Sequence, residues 1–171
     1  PEPSSQPVPD QPPPDSQSEM ATTADLEALG FARSQVDAVQ LDLAHPDPFA
    51  MGPFCRLRVS TTAPQSPGVY AWVVDDSVRY VGKAVAGYGL LQKVKGQSMG
   101  RAYDDYTYCP PSKALKASQT RARVNGLLNA ALRSGSSVEW WWIVAAQPDQ
   151  LEVMLIEMWD PPWNIALRPV R

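Results

Sequence analysis

The sequence is poor in the two side chains that most often carry metal or nucleophilic chemistry. Its 171 residues include one histidine and two cysteines. Cys55 and Cys109 stand far apart and show no paired spacing, which excludes a disulfide framework and a cysteine zinc cluster. The lone histidine, His45, stands next to Pro46, as is typical of a loop residue, and we assign it no catalytic role. Hydrolysis by this protein is therefore not expected to use a histidine, unless the loop that contains His45 folds back onto the site.

Long hydrophobic runs are absent as well. The most apolar run, residues 139–146, is far shorter than the roughly 20 residues that a membrane-spanning helix needs. No signal peptide is visible, because the chain does not open on a charged and then apolar segment. Together with the sparse cysteines, these features predict a cytoplasmic protein with no membrane partner.

The first 20 residues differ in composition from the rest of the chain. They contain seven prolines and four acidic residues, with Val8 as the one aliphatic side chain before Met20. Such a segment buries too little apolar surface to offset its ordering entropy. We expect residues 1–20 to be a disordered, Pro-rich tail or a linker from an upstream domain. Residues 21–60 are then expected to pack on the core as helical and extended segments, and residues 61–171 to form the main domain.

Charge is distributed unevenly along the chain. Residues 1–50 carry nine acidic residues and one basic residue, whereas residues 51–171 carry fourteen basic and nine acidic residues. Residues 77–133 contain ten basic residues and only two acidic residues, Asp104 and Asp105. A basic region of this kind suits a polyanionic partner.

Hydrophobic periodicity predicts the elements along the chain. Residues 22–43 are expected to form one helix or two short helices, residues 54–60 a strand, and residues 138–146 a buried strand whose three tryptophans alternate between faces. Helices are predicted at residues 114–133 and 148–159. Residues 85–113 are expected to form a long loop, in which tyrosines alternate with basic residues.

Residues 67–84 hold the most informative pattern. Two runs rich in valine and aromatic residues, Val69–Val74 and Val78–Val81, flank the turn at residues 75–77 and predict a β-hairpin. Each run places a tyrosine beside a glycine, as Gly68-Val69-Tyr70 and, after nine intervening residues, as Tyr80-Val81-Gly82. Paired strands bring the two phenols together near Lys83, and this arrangement can position a water molecule.

The hairpin resembles the signature of the GIY-YIG nuclease superfamily, and further matches follow in the same order. Near the end of the chain, Glu152-Val153-Met154-Leu155-Ile156 and then Pro161 or Pro162, Trp163 and Asn164 resemble the family's E-x-x-L-I and P-x-[YW]-N motifs. The resemblance covers about residues 67–165. The run Tyr80–Ala84 and the Pro-Trp-Asn ending look most like the type II restriction endonuclease branch.

A member of this family is expected to have an α/β (α+β) fold, with a small three-stranded antiparallel sheet flanked by helices. The resemblance implies a metal-dependent endonuclease that hydrolyses phosphodiester bonds of double-stranded DNA. In the family the glutamate binds one Mg²⁺ or Mn²⁺ ion, which assigns the metal to Glu152, and the asparagine supports the site, which assigns that role to Asn164. Tyr70 or Tyr80 would activate the attacking water, with the metal and either Lys83 or Arg121 lowering the pKa of the phenol. The residues alone do not choose between the two tyrosines.

The helix after the hairpin supplies the remaining expected site residues. In the restriction branch an arginine that contacts the scissile phosphate is followed four residues later by a histidine. We carry the arginine over to Arg121, with Arg123 as the competing assignment, and note that Asn125 replaces the histidine. An asparagine can hydrogen-bond but cannot accept a proton at neutral pH. Residues expected to contact DNA lie in this helix and in the long loop: Lys93, Lys95, Arg101 and Arg123.

Three alternatives to restriction-type cleavage stay open. One is a structure-specific repair or recombination nickase, and another is a defence or toxin nuclease joined to an upstream domain by the Pro-rich linker. The third is a DNA-binding module that has lost turnover, an interpretation favoured by Asn125 in place of histidine. A homodimer acting on a palindromic target would favour restriction.

Overall fold

The fold is built on one antiparallel sheet with helices on both faces. The computed structural model describes residues 19–43, 52–87, 89–98 and 116–165. In these residues the strands are β1 (Ala32–Leu43), β2 (Phe54–Ser60), β3 (Gly68–Val74), β4 (Ser77–Ala84) and β5 (Val138–Val144), and the helices are α1 (Thr23–Ala28), α2 (Gly89–Ser98), α3 (Lys116–Arg133) and α4 (Pro148–Trp159). The strand order is β2-β1-β5-β3-β4, with every pair antiparallel. The predicted α+β class is confirmed, but the sheet has five strands and not three.

The two additional strands come from the N-terminal segment. Strand β2 is confirmed at residues 54–60 as predicted, whereas the helix prediction over residues 22–43 is confirmed only for α1 and was wrong for residues 32–43. Helix α1 ends at Ala28, and Gly30 adopts a φ of 87° that a continuing helix does not allow. The chain then runs as β1 between β5 and β2. One face of β1 meets solvent, so polar residues are mixed with the apolar ones, and the apolar residues imitate a helical spacing. Pairing with two distant strands, and not local pattern, decides the conformation here.

The predicted hairpin is confirmed and forms one end of the sheet, with β4 as an edge strand. Strand β3 pairs with β4 on one side and with β5 on the other, and all seven of its residues are buried. The turn residues Asp75 and Asp76 have φ values of 47° and 64°, as is typical of tight turns between twisted antiparallel strands. The short hairpin places Gly68 opposite Ala84 and Tyr70 opposite Gly82.

Alternate faces of the sheet form two hydrophobic cores. Helices α2 and α3 cover the face that carries Tyr70, Trp72 and Trp140, whereas α1 and α4 cover the face that carries Val69 and Trp141. The predicted alternation of the tryptophans in β5 is therefore confirmed. Helix α4 spans residues 148–159 as predicted. Helix α3 ends at Arg133 as predicted, and its described part begins at Lys116.

The segment predicted as a loop over residues 85–113 contains helix α2. Gly89 begins this helix with a φ of 73°, and a Cβ there would lie 2.6 Å from the backbone of Gln65. This close approach lets Leu90 and Val94 reach the core. Residues 99–115, the N-terminal residues 1–18 and His45 lie outside the described residues. No helix among the residues that the structure describes is long and apolar enough to cross a membrane.

Candidate active site

A bulge in β4 determines the face on which Tyr80 lies. Trp72 pairs with Tyr80 and Val73 pairs with Val78, which leaves Arg79 as an extra residue in the ladder. Because side chains alternate along a strand, one extra residue moves Tyr80 to the face opposite Val78. Tyr80 therefore joins Tyr70 on the side covered by α2 and α3, while Val78 packs in the other core.

The two signature tyrosines form a buried pair. Their ring centroids are 6.1 Å apart, and their side chains hydrogen-bond to each other. Tyr70 also packs on Trp140 and leaves 1% of its surface exposed. Its ring lies directly over Gly82, where an added Cβ would come within 2.5 Å of the phenol. The glycine of the second motif is thus required by the tyrosine of the first.

A cavity of about 240 Å³ opens beside β4, at the edge of the sheet. Its walls come from β4, α3, α4 and the segment after α4, and the lining residues are Tyr80, Lys83, Thr120, Arg123, Glu152, Asn164 and Ile165. The structure thus brings together four of the side chains that the resemblance singled out as catalytic: Tyr80, Lys83, Glu152 and Asn164. Of the two tyrosines, Tyr80 faces the cavity, and Tyr70 is not among its lining residues.

Glu152 is the buried carboxylate of the cavity. It is 8% exposed, and it projects from the second turn of α4, next to the core residues Leu155 and Ile156. Burial raises the pKa of its carboxyl above the usual range, and the charges of Lys83 and Lys93 oppose that shift. A carboxylate held in such a place is costly to ionise unless a cation accompanies it.

Tyr80 responds to the same environment. Burial raises the pKa of its phenol, and the negative charge of Glu152 raises it further, whereas the hydrogen bond with Tyr70 and the Arg123 guanidinium lower it. The protonated phenol therefore predominates at neutral pH in the absence of added charge, because the ordinary value is already about 10. A protonated phenol can donate a hydrogen bond or orient a water.

Lys83 lies between two carboxylates of α4. Its Nζ atom donates a hydrogen bond to Asp149 and lies 3.5 Å from Glu152 Oε2. The hydrogen bond to Asp149 is the main reason that the pKa of Lys83 is raised. Lys83 therefore stays protonated, and so positively charged, at neutral pH. Asp149 was missed in the sequence, although its position three residues before Glu152 puts both on one helical face.

Arg123 is the arginine of α3 that lines the cavity. Burial lowers the pKa of its guanidinium, which indicates a partly desolvated cation. Thr120, one turn earlier, lines the same wall and was also missed by sequence reasoning. The side chain of Arg121 lies outside the described residues, so its assignment as the phosphate contact stays a prediction.

Asn164 holds the chain against the free edge of β4. Its Oδ1 atom accepts a hydrogen bond of 2.8 Å from the Val81 N–H, and its Nδ2 donates one of 2.7 Å to the Val81 carbonyl. Next to it, the Trp163 N–H donates to the Arg79 carbonyl. These bonds hold the edge strand on both sides of Tyr80. They are a physical means by which Asn164 could support the site, as the resemblance implies.

Asn125 faces β2 and is not among the residues that line the cavity. Its side-chain amide bonds both backbone groups of Cys55, accepting at 2.8 Å and donating at 3.0 Å. One turn later Asn129 accepts a hydrogen bond from the Asp42 N–H and donates one to the Asp42 carboxylate, so the two asparagines join α3 to β2 and β1. The thiol of Cys55 is inert in this setting, because burial raises its pKa to about 12. The catalytic role suggested by the restriction-branch pattern gains no support from this geometry.

Replacing Asn125 with alanine should lower the free energy of unfolding by about 2–3 kcal/mol, because two buried backbone groups of Cys55 would lose their partners. Urea unfolding of both proteins checks the value. Cleavage per folded molecule should change little, and a loss of turnover in fully folded Asn125→Ala protein would instead indicate a catalytic role.

The residues expected to contact DNA are placed only in part. Arg123 lines the cavity, and Lys93, on α2, is near enough to Glu152 to lower its pKa. Lys95 belongs to α2, but its side chain lies outside the described part, as does Arg101. Two of the four expected cations thus lie at or near the cavity.

A divalent cation fits the donor set of the cavity. No group of three or more histidine, cysteine, aspartate or glutamate side chains gathers among the described residues. Among the residues that line the cavity, Glu152 is the carboxylate. Mg²⁺ is bound in many phosphate-processing sites by one or two carboxylates, with water and substrate phosphates completing the coordination. Glu152 could hold Mg²⁺ or Mn²⁺ in this way.

Comparison with solved structures finds a related fold. No family model and no curated protein sequence matches the chain. Among solved structures, the chain is similar to a glutamate-to-alanine mutant of bacteriophage T4 EndoII, with a TM-score of 0.53 and 19% identity over 85% of this chain and 99% of that chain. At this identity the likeness establishes the fold. It supports the resemblance to the GIY-YIG nucleases at that level and does not distinguish the restriction branch.

Proposed function

We propose that this protein is a metal-dependent DNA endonuclease that hydrolyses phosphodiester bonds. The observation that carries the proposal is the cavity beside β4, where a buried carboxylate (Glu152), a phenol (Tyr80) and two cations (Lys83 and Arg123) meet from three different elements. The fold shared with phage T4 EndoII, an endonuclease of the GIY-YIG family, supports the same activity.

The chemistry of phosphodiester hydrolysis matches these groups. An attacking water must be oriented, and the negative charge that develops on the phosphate must be stabilised. Mg²⁺ or Mn²⁺ bound to Glu152 would supply Lewis-acid stabilisation of that charge. Arg123 and Lys83 are cations that can hold the phosphate, and Tyr80 can orient the water through its hydroxyl. Tyr70 supports Tyr80 from behind through their shared hydrogen bond.

We further propose double-strand, restriction-type cleavage as the task of this site, on the sequence resemblance of Tyr80–Ala84 and Pro162-Trp163-Asn164. A homodimer with two copies of the cavity would cut both strands of a palindromic target. A nickase would use one copy per target. The alternative of an inactive DNA-binding module depends on Asn125 replacing a catalytic histidine. The amide of Asn125 bonds the backbone of Cys55, away from the cavity, so this replacement is a weak argument for inactivity.

Plasmid cleavage in Mg²⁺ or Mn²⁺, with and without EDTA, tests this proposal directly. The native protein should cut in either metal and stop when EDTA is added. Tyr80→Phe should lower the rate about 10²-fold or more, because the hydroxyl that orients the water is removed. Tyr70→Phe is the matched control, since it removes the phenol hydroxyl that does not line the cavity. The cleavage rate should fall less in Tyr70→Phe than in Tyr80→Phe.

The plasmid products and the binding data separate the alternatives. Linear plasmid with discrete ends indicates restriction-type cleavage, whereas open circles indicate nicking. Binding of DNA by the native protein without cleavage of duplex, branched or single-stranded DNA would contradict the endonuclease and favour the inactive module.

A further inference from the structure

A second carboxylate stands at the rim of the cavity. Asp149 lies in the first turn of α4, directly after Pro148, and Glu152 follows three residues later. Residues at this spacing lie on one face of a helix. Both carboxylates accordingly face β4, where the Lys83 ammonium contacts each of them.

The two contacts of Lys83 are unequal. Its Nζ atom hydrogen-bonds Asp149, whereas the distance from Nζ to Glu152 Oε2 is 3.5 Å. A charge-assisted hydrogen bond between such groups is usually 2.7–2.9 Å long. Asp149 is thus the closer partner of Lys83, and Glu152 is approached only loosely.

The setting of the two acids differs in the same sense. The side chain of Asp149 is 68% exposed and that of Glu152 is 10% exposed. An ammonium and a divalent metal would compete for the oxygens of the buried glutamate, because both are cations that need a negative partner. Lysine has a flexible four-carbon stem, so an ammonium released by Asp149 would move onto Glu152, the other carboxylate that it contacts.

We propose that Asp149 is a positioning residue that holds the Lys83 ammonium at the rim and so keeps Glu152 open to a divalent cation. This inference rests on the proposed metal-dependent nuclease function. Asp149 acts through Lys83 and does not itself bind the metal. Removing Asp149 lets Lys83 tighten its present 3.5 Å ion pair with Glu152, and a metal then has to break the tighter pair before it binds.

Loss of Asp149 is not expected to weaken the fold, because ion pairs at exposed positions contribute little to stability. The effect belongs to metal affinity. Calorimetric titration of the full chain with Mn²⁺, without DNA, should show about 10-fold weaker binding for Asp149→Asn than for the native protein. The thermal unfolding midpoint without metal should be unchanged.

Two further variants isolate the role of Lys83. Glu157→Gln removes an exposed carboxylate from the same helix, outside the cavity lining, and should leave Mn²⁺ affinity unchanged. In a Lys83→Met background, Asp149→Asn should no longer weaken Mn²⁺ binding, because no ammonium remains to compete. Asp149→Glu should restore most of the affinity, since it returns a carboxylate to the rim.

Three results would overturn parts of this account separately. Equal weakening by Asp149→Asn with and without Lys83 would make Asp149 a direct ligand or a simple charge effect, against the positioning role. Mn²⁺ binding that Glu152→Gln abolishes and Asp149→Asn leaves intact would overturn the role of Asp149 alone. Mn²⁺ binding that survives Glu152→Gln would remove the metal site of the proposed function, and this inference with it.

Discussion

Replacing Glu152 with glutamine is expected to reduce metal-dependent DNA cleavage by about 10³-fold or more while making the protein more stable. The first effect follows because the amide cannot replace the carboxylate that would hold the metal and its charge-stabilising contribution. Plasmid cleavage under single-turnover conditions measures it. Glutamine keeps the shape of the side chain, so the variant should fold and remain comparable with the native protein.

The second effect follows from burial, which raises the pKa of Glu152. Below the ordinary carboxyl pKa the group is protonated in both the folded and the unfolded states, so its burial carries no penalty for a charge. As the pH rises through the ordinary and then the raised pKa, the unfolded state ionises more readily, so the folded state loses stability relative to it. Glu152→Gln should therefore be more stable than the native protein above that window, by about 1 kcal/mol.

Urea unfolding at a series of pH values checks this sign. The advantage of Glu152→Gln should be small in acid, grow with pH and then level off. Glu157→Gln is the matched control, because Glu157 is exposed on the same helix and should show no such trend. A Glu152→Gln protein that is less stable than the native one at neutral pH would contradict the cost assigned to the buried charge.

Adding one methyl group at Gly82 should disrupt the tyrosine pair. A Cβ there would come within 2.5 Å of both Cζ and the hydroxyl of Tyr70, and Tyr70 has no room to retreat because it packs on Trp140 and Tyr80. Gly82→Ala is expected to lower the free energy of unfolding by about 2–3 kcal/mol. Cleavage should fall about 10²-fold or more, since displacing Tyr70 also displaces Tyr80.

The stability cost can be traced to Tyr70 by a double-mutant cycle in urea. In a Tyr70→Leu background the added methyl group has space, so Gly82→Ala should cost clearly less than in the native background. An equal cost in both backgrounds would assign the effect to the β4 backbone and would contradict the proposed contact.

Local pattern was sufficient for several parts of this molecule. Two apolar runs rich in valine and aromatic residues on either side of Asp75 and Asp76 predicted the hairpin, and the apolar stripe after Pro148 predicted α4 with its correct ends. The ordered motifs also selected Tyr80, Lys83, Glu152 and Asn164, which meet in one cavity. These predictions succeed because periodicity and turn chemistry are properties of neighbouring residues.

Contacts between distant residues settled the remainder. The strand identity of residues 32–43 depends on pairing with β5 and β2, and the bulge at Arg79 directs Tyr80 to the face of Tyr70. The amide of Asn125 bonds Cys55, and the carboxylate of Asp149 bonds Lys83. The two partners in each pair are far apart in the sequence. Residue types and their order predicted which functional groups belong to the candidate site, but register and helix placement determine which side chains face the cavity, because those depend on the packing of the whole sheet.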